Sequence, residues 1–548
     1  MADPTGISQP DEDGREVKPG SRARQASEAS IASFTFIPPT LPSYLSRSIS
    51  HDDDPEQRHH QLGILEAIAL VIGMQIGSGI FSSPGVIVHS TKSVGSSLIV
   101  WLVSGLLTWT GASSFAELGS MIPQNGGAQA YLFFAYGPFV SYLFSWTAVS
   151  VLKPSSCAII SLIFGEYLNR LIATLISQEE HPLVPDWTIK ITAAAGIALV
   201  TFTNLISTKS GSRAQVILTG LKAASLLFII ILGIVSLCTK GLGPTFSNPQ
   251  GVFDGASAEL SSYAIALYSG LWAFDGYDQA NYVAGQLKNP TKDLPRVIHI
   301  SMATVLALFL AGNIAYFLVL PLSIVAQSNT VALDFGIKVF GRIGGAIFSI
   351  VVAVSCIGAL NGSFYTTARL IQSSAKESFL PRAFTHLSAR NTPDNALALQ
   401  AALTVMFVVF GGGFRGLVNF LSVASCTFYL LTVTGLLVLR YTEPTLERPY
   451  KTFIVTPIIF CIIAVFLLLM PIVAAPLEAM AAAAFVTAGI PAYYLTVRTS
   501  GYSESNLELV PRIKNAIQEF RNDLRLIFRS SRSNTANAAY EPIEMHER

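Results

Sequence analysis

The sequence predicts an all-α polytopic membrane protein. Twelve transmembrane helices form a 5+5 inverted repeat plus two further helices, with helices 1 and 6 broken. Three observations carry this reading. Of 548 residues, 51% are hydrophobic and 13% charged, with a mean hydropathy of +0.51, whereas a soluble domain carries about 25% charged residues. Twelve apolar segments follow one another between residues 62 and 497, most of them near the ~20 residues a span requires. Glycine-rich interruptions fall in the first and sixth segments, the spacing of paired broken helices around a mid-membrane site.

Residues 1–60 are rich in Ser, Asp, Arg, Gln and Pro and are expected to form a disordered cytoplasmic tail. They contain no apolar signal-peptide core, so the first span is expected to act as the insertion signal. His51-Asp52-Asp53-Asp54 and His59-His60 read there as solvated charge rather than metal ligands. The spans are expected at 62–88, 95–121, 138–168, 187–206, 213–238, 258–284, 296–323, 338–372, 395–412, 415–440, 452–471 and 475–497. They make one transporter domain over 61–498, with repeat one at 61–240, repeat two at 256–440 and helices 11–12 at 450–498. The long third and eighth segments are expected to tilt.

Loops after even-numbered spans carry more Lys and Arg, including Lys209, Lys288, Lys292, Arg382, Arg390, Arg448 and Lys451. Cytoplasmic loops carry the basic excess, so both termini are expected inside, and the acidic 169–186 loop outside. Over 499–548, Leu509, Ile513, Ile517, Phe520, Leu524 and Ile527 alternate with Arg512, Lys514, Arg521, Arg525 and Arg529. This predicts a basic amphipathic helix on the inner leaflet, in a second cytoplasmic tail.

Net charge is +1 and gives no reason to expect a nucleic-acid partner. Cys157, Cys238, Cys356, Cys426 and Cys461 all lie in apolar segments and read as small buried hydrophobes. Neither a metal-ligand spacing nor a phosphate loop nor a nucleophile constellation occurs in the spans, so no catalytic residue, metal or cofactor is expected. A channel would need polar residues along its length, whereas here they cluster at one level.

The first span holds Gly73-Met74-Gln75-Ile76-Gly77-Ser78-Gly79. Glycine costs about 1 kcal/mol against alanine in a helix interior, and backbone that leaves a helix in hydrocarbon needs other partners. The stretch is either a close-packing face or an unwound point whose free N–H groups bind a ligand. The sixth span holds Gly270, Trp272, Ala273, Asp275, Gly276 and Asp278. Ionisable residues inside a span are functional candidates, and packing glycines alone explain neither the spacing nor the acids. A resuming helix N-terminus suits a carboxylate, and the carbonyl ends before a break suit an ammonium. An amino acid carries both groups.

These residues resemble the L-type amino acid transporters of the amino acid–polyamine–organocation superfamily, across roughly 60–500. The resemblance rests on Ile76-Gly77-Ser78-Gly79-Ile80-Phe81 with Ser83-Pro84, and on Glu117-Leu118-Gly119 through Gly127 with Ala130-Tyr131. It rests further on Pro154-Ser155-Ser156, Tyr268 through Tyr277, Leu287 through Pro290, and Asn361-Gly362-Ser363 with Arg369. It implies a LeuT-like architecture and amino-acid transport by alternating access, not enzymatic activity. Gln75, Ile76, Gly77, Ser78 and Gly79 would form the substrate-binding break, with Gln75, Ser78 and Gly79 holding the α-carboxylate. Trp272 would close over the substrate, Ala273 and Asp275 would line the amine and side-chain pocket, and Asp278 would be a polar position one turn further. Leu421 and Ser425 would line the side-chain pocket, with Val423 in the same apolar wall. Lys222 would stand where sodium-coupled cousins hold an ion between helices 1, 5 and 8, which implies sodium-independent transport. The physical reading agrees, because a buried lysine needs a negative partner and the first break frees carbonyls.

Large neutral side chains, methionine included, are the expected substrates; cationic amino acids or cystine are the alternative, through Asp275. Asp275 either selects charge or merely orders the break. Lys153 could pair with Asp278. The 169–187 loop has no cysteine, unlike the animal members that join a glycoprotein heavy chain, so no disulfide-linked heavy chain is expected. The expected partners are the amino-acid substrate and the lipid bilayer, with residence in the plasma membrane. A sensor that kept the transporter fold is the reading from another class.

Overall fold

The computed structural model describes residues 62–176, 184–206, 208–241, 243, 245–246, 251–388, 392–411, 414–474 and 476–498. The two tails, with the amphipathic helix expected in the second, lie outside the described residues. The first span is α1 (Ile64–Gln75) and α2 (Gly79–Thr91). The second is α3 (Val94–Met121). A short α4 (Ala128–Tyr136) leads to the third span, α5 (Pro138–Thr147) and α6 (Lys153–Ile176). The fourth and fifth are α7 (Asp186–Ile206) and α8 (Thr208–Lys240). The sixth is α9 (Leu260–Ala273) and the four-residue α10 (Gln279–Tyr282). Next come α11 (Pro290–Val319), a connecting α12 (Leu322–Gln327) and α13 (Val331–Lys376). The last four spans are α14 (Asp394–Phe410), α15 (Phe414–Thr442), α16 (Val455–Ala474) and α17 (Pro476–Tyr493).

Among the described residues, nine helical segments are long and apolar enough to cross a membrane, and two shorter apolar helices lie at 394–410 and 455–470. The interrupted sixth span completes the expected twelve. The chain is thus an all-α polytopic membrane protein, and the first and sixth spans are broken where the glycines sit.

The long third and eighth segments each contain a local departure from regular α-helix. The third runs to Ile176 and contains a π-helical turn, Ala148–Leu152. Pro154 follows after Lys153; lacking an N–H and crowding the carbonyl four residues back, within that turn, it forces the ladder to widen there. The eighth is two helices joined at Gly341, whose φ of 67° and ψ of −155° are not helical, so a separate helix precedes the span. Cys238 is exposed, against the expectation of burial, while Cys157, Cys356 and Cys426 are buried.

A buried ionic cluster fastens spans two and ten to the segment that leads into span eleven. Glu117 on α3 is fully buried. It accepts Arg440 Nε at 2.9 Å and Arg440 Nη2 on its other oxygen. The Thr452 N–H donates to it at 2.8 Å, and Arg448 Nε stands 3.8 Å away. Breaking one side of such a pair leaves an uncompensated buried charge. Glu117→Gln is therefore expected to destabilise the fold by about 3–5 kcal/mol, measured as a lowered thermal unfolding midpoint in detergent. An unchanged midpoint would show the cluster to be energetically idle.

Candidate functional site

The two breaks meet. α1 ends where the Ile76 N–H bonds the Ile72 carbonyl, so the next carbonyls leave the helical ladder and need other donors. Lys222 on α8, 2% exposed, donates to Gly73 O at 2.7 Å. Ser355 on α13 places its hydroxyl 3.0 Å from Ile76 O and 2.7 Å from Gly77 O. A Cβ on Gly358 of α13 would stand 3.2 Å from Lys222 Nζ. The ammonium thus lies between spans one, five and eight. Thr219, one turn before Lys222, donates to Ala69 O at 2.8 Å.

Across the breaks, Gln75 Nε2 donates to Phe274 O at 2.9 Å. Gly79 opens α2 against the end of α9, and a Cβ there would lie 2.5 Å from Ala273 Cα. Gly276 has φ of +109°, the left-handed region that favours glycine, and its Cβ would lie 2.9 Å from Met74 Cβ. Ser78 caps α2 without a side-chain bond, and its buried hydroxyl has no protein partner.

Three cavities adjoin this meeting point. A central one is lined by Gln75, Ser78, Gly79, Trp272, Ala273 and Asp275, with Met74, Ser156 and Ile160. A polar one is lined by Lys153, Asp275, Asp278, Gln279, Ser363, Leu421 and Ser425, among others. An apolar one lies between α9, α15, α3 and α16, and again includes Trp272, Asp275, Leu421 and Ser425. Asp275 borders all three, and one of its oxygens accepts the Tyr429 hydroxyl at 2.9 Å.

Most of the residues singled out in the sequence therefore gather here, but not all in the same way. Ile76 and Gly77 line none of the three cavities; their carbonyls face Ser355. Val423 is buried outside the cavity walls. Lys153 shares the polar cavity with Asp278, yet its ammonium sits 4.3 Å over the Tyr282 ring instead of pairing with that acid. Asp278 accepts from Gln279 Nε2 at 3.1 Å. Ser355, Tyr429 and Met302, whose sulfur accepts from Gln75 at 3.1 Å, were not legible as site residues. Hydroxyls and thioethers in apolar helices look alike whether they pack or bind. Among the described residues, no group of three His, Cys, Asp or Glu side chains could hold a metal.

A sequence profile of the amino acid permease family matches residues 62–495. The chain is 38% identical to the b(0,+)-type amino acid transporter 1 of Mus musculus, over 80% of this chain and 88% of that one. It is 33% identical to the cystine/glutamate transporter of Homo sapiens, over 82% and 88%. It is 34% identical to the large neutral amino acids transporter small subunit 2 of Oryctolagus cuniculus, over 80% of each. The chain belongs to the amino acid permease family, in its L-type branch, and is an amino-acid transporter rather than an enzyme.

Proposed function

We propose that the chain carries large neutral L-amino acids, methionine included, by alternating access and without sodium. The observation that supports this best is the pairing of the breaks around one cavity. The N-terminus of α2, with Ser78 uncommitted, suits the substrate carboxylate by its unpaired N–H groups and positive dipole end. Lys222 and Ser355 occupy the Gly73, Ile76 and Gly77 carbonyls, so the acceptor end for the substrate amine falls to the sixth span, where α9 stops at Ala273. Leu421 and Trp272 then face the side chain. Lys222 supplies the positive charge that a coupling ion would supply. The protein is read as working alone in the plasma membrane, without a disulfide-linked heavy chain and with both termini in the cytoplasm.

The test is uptake of labelled leucine, methionine and arginine into a transporter-poor host, with sodium present or replaced by choline. Leucine and methionine uptake independent of sodium is expected; strict sodium dependence would remove the role given to Lys222. A chain that reaches the surface yet moves no amino acid, in uptake or preloaded exchange, would point to a sensor.

A second reading has its own support. Asp275 stands on the walls of the three cavities at the breaks, with one oxygen held by Tyr429, and would attract a cationic side chain. Under that reading Asp275→Asn lowers arginine uptake about tenfold or more relative to leucine, the scale of a lost charge-assisted bond. An unchanged arginine-to-leucine ratio would leave Asp275 as a residue that orders the break.

A further inference from the structure

The apolar cavity extends away from the breaks toward spans two and eleven. Its far wall is Thr108 on α3 with Phe460, Ala464 and Leu467 on α16. Neither span contributes to the central cavity. Nothing in the sequence marked these residues, because span eleven reads as uniformly apolar.

We propose that this cavity receives the outer part of a bulky apolar substrate side chain, so that spans two and eleven set the upper size limit of what is carried. This rests on the reading of the central cavity as the substrate site. The two cavities share Trp272 and Asp275, so the apolar cavity begins beside a substrate held by its backbone groups at the breaks. Asp275 is the one carboxylate on that wall and stands at the shared boundary. Beyond it the lining is aliphatic, aromatic, hydroxyl or thiol, which suits an aromatic or long aliphatic side chain and disfavours a charged tip. The Trp272 indole N–H is buried without a protein acceptor, as expected of a group whose surroundings are completed by substrate.

The far wall is held in place. The Tyr268 hydroxyl on α9 donates to Leu467 O on α16, fastening span eleven to span six beside the cavity. The Phe460 ring is seated on α3 at Gly111, where a Cβ would stand 2.6 Å from Phe460 Cε2. Ala464 is 3% exposed and is the smallest side chain on that wall. Enlarging it fills the cavity without touching either break.

The experiment measures uptake of alanine, leucine, phenylalanine and tryptophan by the full-length chain and by Ala464→Phe and Phe460→Leu. Ala464→Phe is expected to lower the phenylalanine-to-alanine and tryptophan-to-alanine uptake ratios about tenfold or more, the scale on which apolar pockets discriminate by a few methylenes. Phe460→Leu is expected to raise the tryptophan-to-alanine ratio, and it decides the matter if Ala464→Phe does not reach the membrane. Equal changes for every substrate, or none, would overturn the proposal and leave the cavity to a lipid tail. Wild-type protein that moves none of the large neutral substrates would instead overturn the substrate reading itself.

Discussion

Replacing Gly79 with leucine is expected to abolish amino-acid uptake while leaving the chain inserted in the membrane. The reason is the distance across the breaks. A Cβ at position 79 would meet Ala273 Cα at 2.5 Å, Ala273 Cβ at 2.9 Å and Ala273 O at 3.3 Å. Two of these are backbone atoms, which cannot rotate aside as a side chain could. Overpacking of this kind costs about 1–3 kcal/mol even where a core can adjust. Here the adjustment would push α2 away from α9 and widen the close approach between the half-helices that carry the donor and acceptor ends. Gly79→Ala is expected to be intermediate, and surface labelling beside uptake separates a transport defect from loss of the protein. If Gly79→Leu transports normally, the first break is not part of the substrate site.

Lys222→Met is expected to reduce uptake by about tenfold to a hundredfold. Methionine keeps the bulk of the aliphatic stem and removes the donor that satisfies Gly73 O at 2.7 Å. Leaving a buried acceptor without a charged donor costs about 1.5–3 kcal/mol, which corresponds to that range. The loss bears on the end of α1, because Gly73 is among the carbonyls that no longer serve the helix. Ser355 still holds Ile76 and Gly77, so the break persists but loses its anchor to span five. Uptake by the variant in sodium and in choline measures this. Wild-type rates in choline would show that the ammonium is dispensable.

What could be read from the sequence follows from how unusual each residue is in hydrocarbon. Three glycines and a serine within seven residues, and two aspartates beside a tryptophan, are costly in a membrane helix, and both stretches are interrupted where those residues stand. Lys222 was legible for the same reason, since its charge demands a partner. Ser355 and Tyr429 were not, because a serine or tyrosine in an apolar helix costs little and can bond its own backbone or nothing special. The extra length of the third and eighth segments was legible, but the π-turn before Pro154 and the change of direction at Gly341 were not. Both are local backbone events that hydropathy averages out. Span eleven, apolar throughout, carried no signal that it forms a cavity wall.

Asp275 stands on the walls of three cavities, so a ligand in one that shifts its carboxylate would be felt in the other two. A compound lodged only among Phe460, Ala464 and Leu467 would alter affinity at the Ser78–Gly79 break to whatever extent it favours one setting of the Asp275 carboxylate. Thermodynamic reciprocity requires the substrate to alter that compound's affinity by the same factor. An inhibitor found to act there would therefore exclude bulky apolar side chains directly, while its effect on a substrate as small as alanine would run through Asp275 alone.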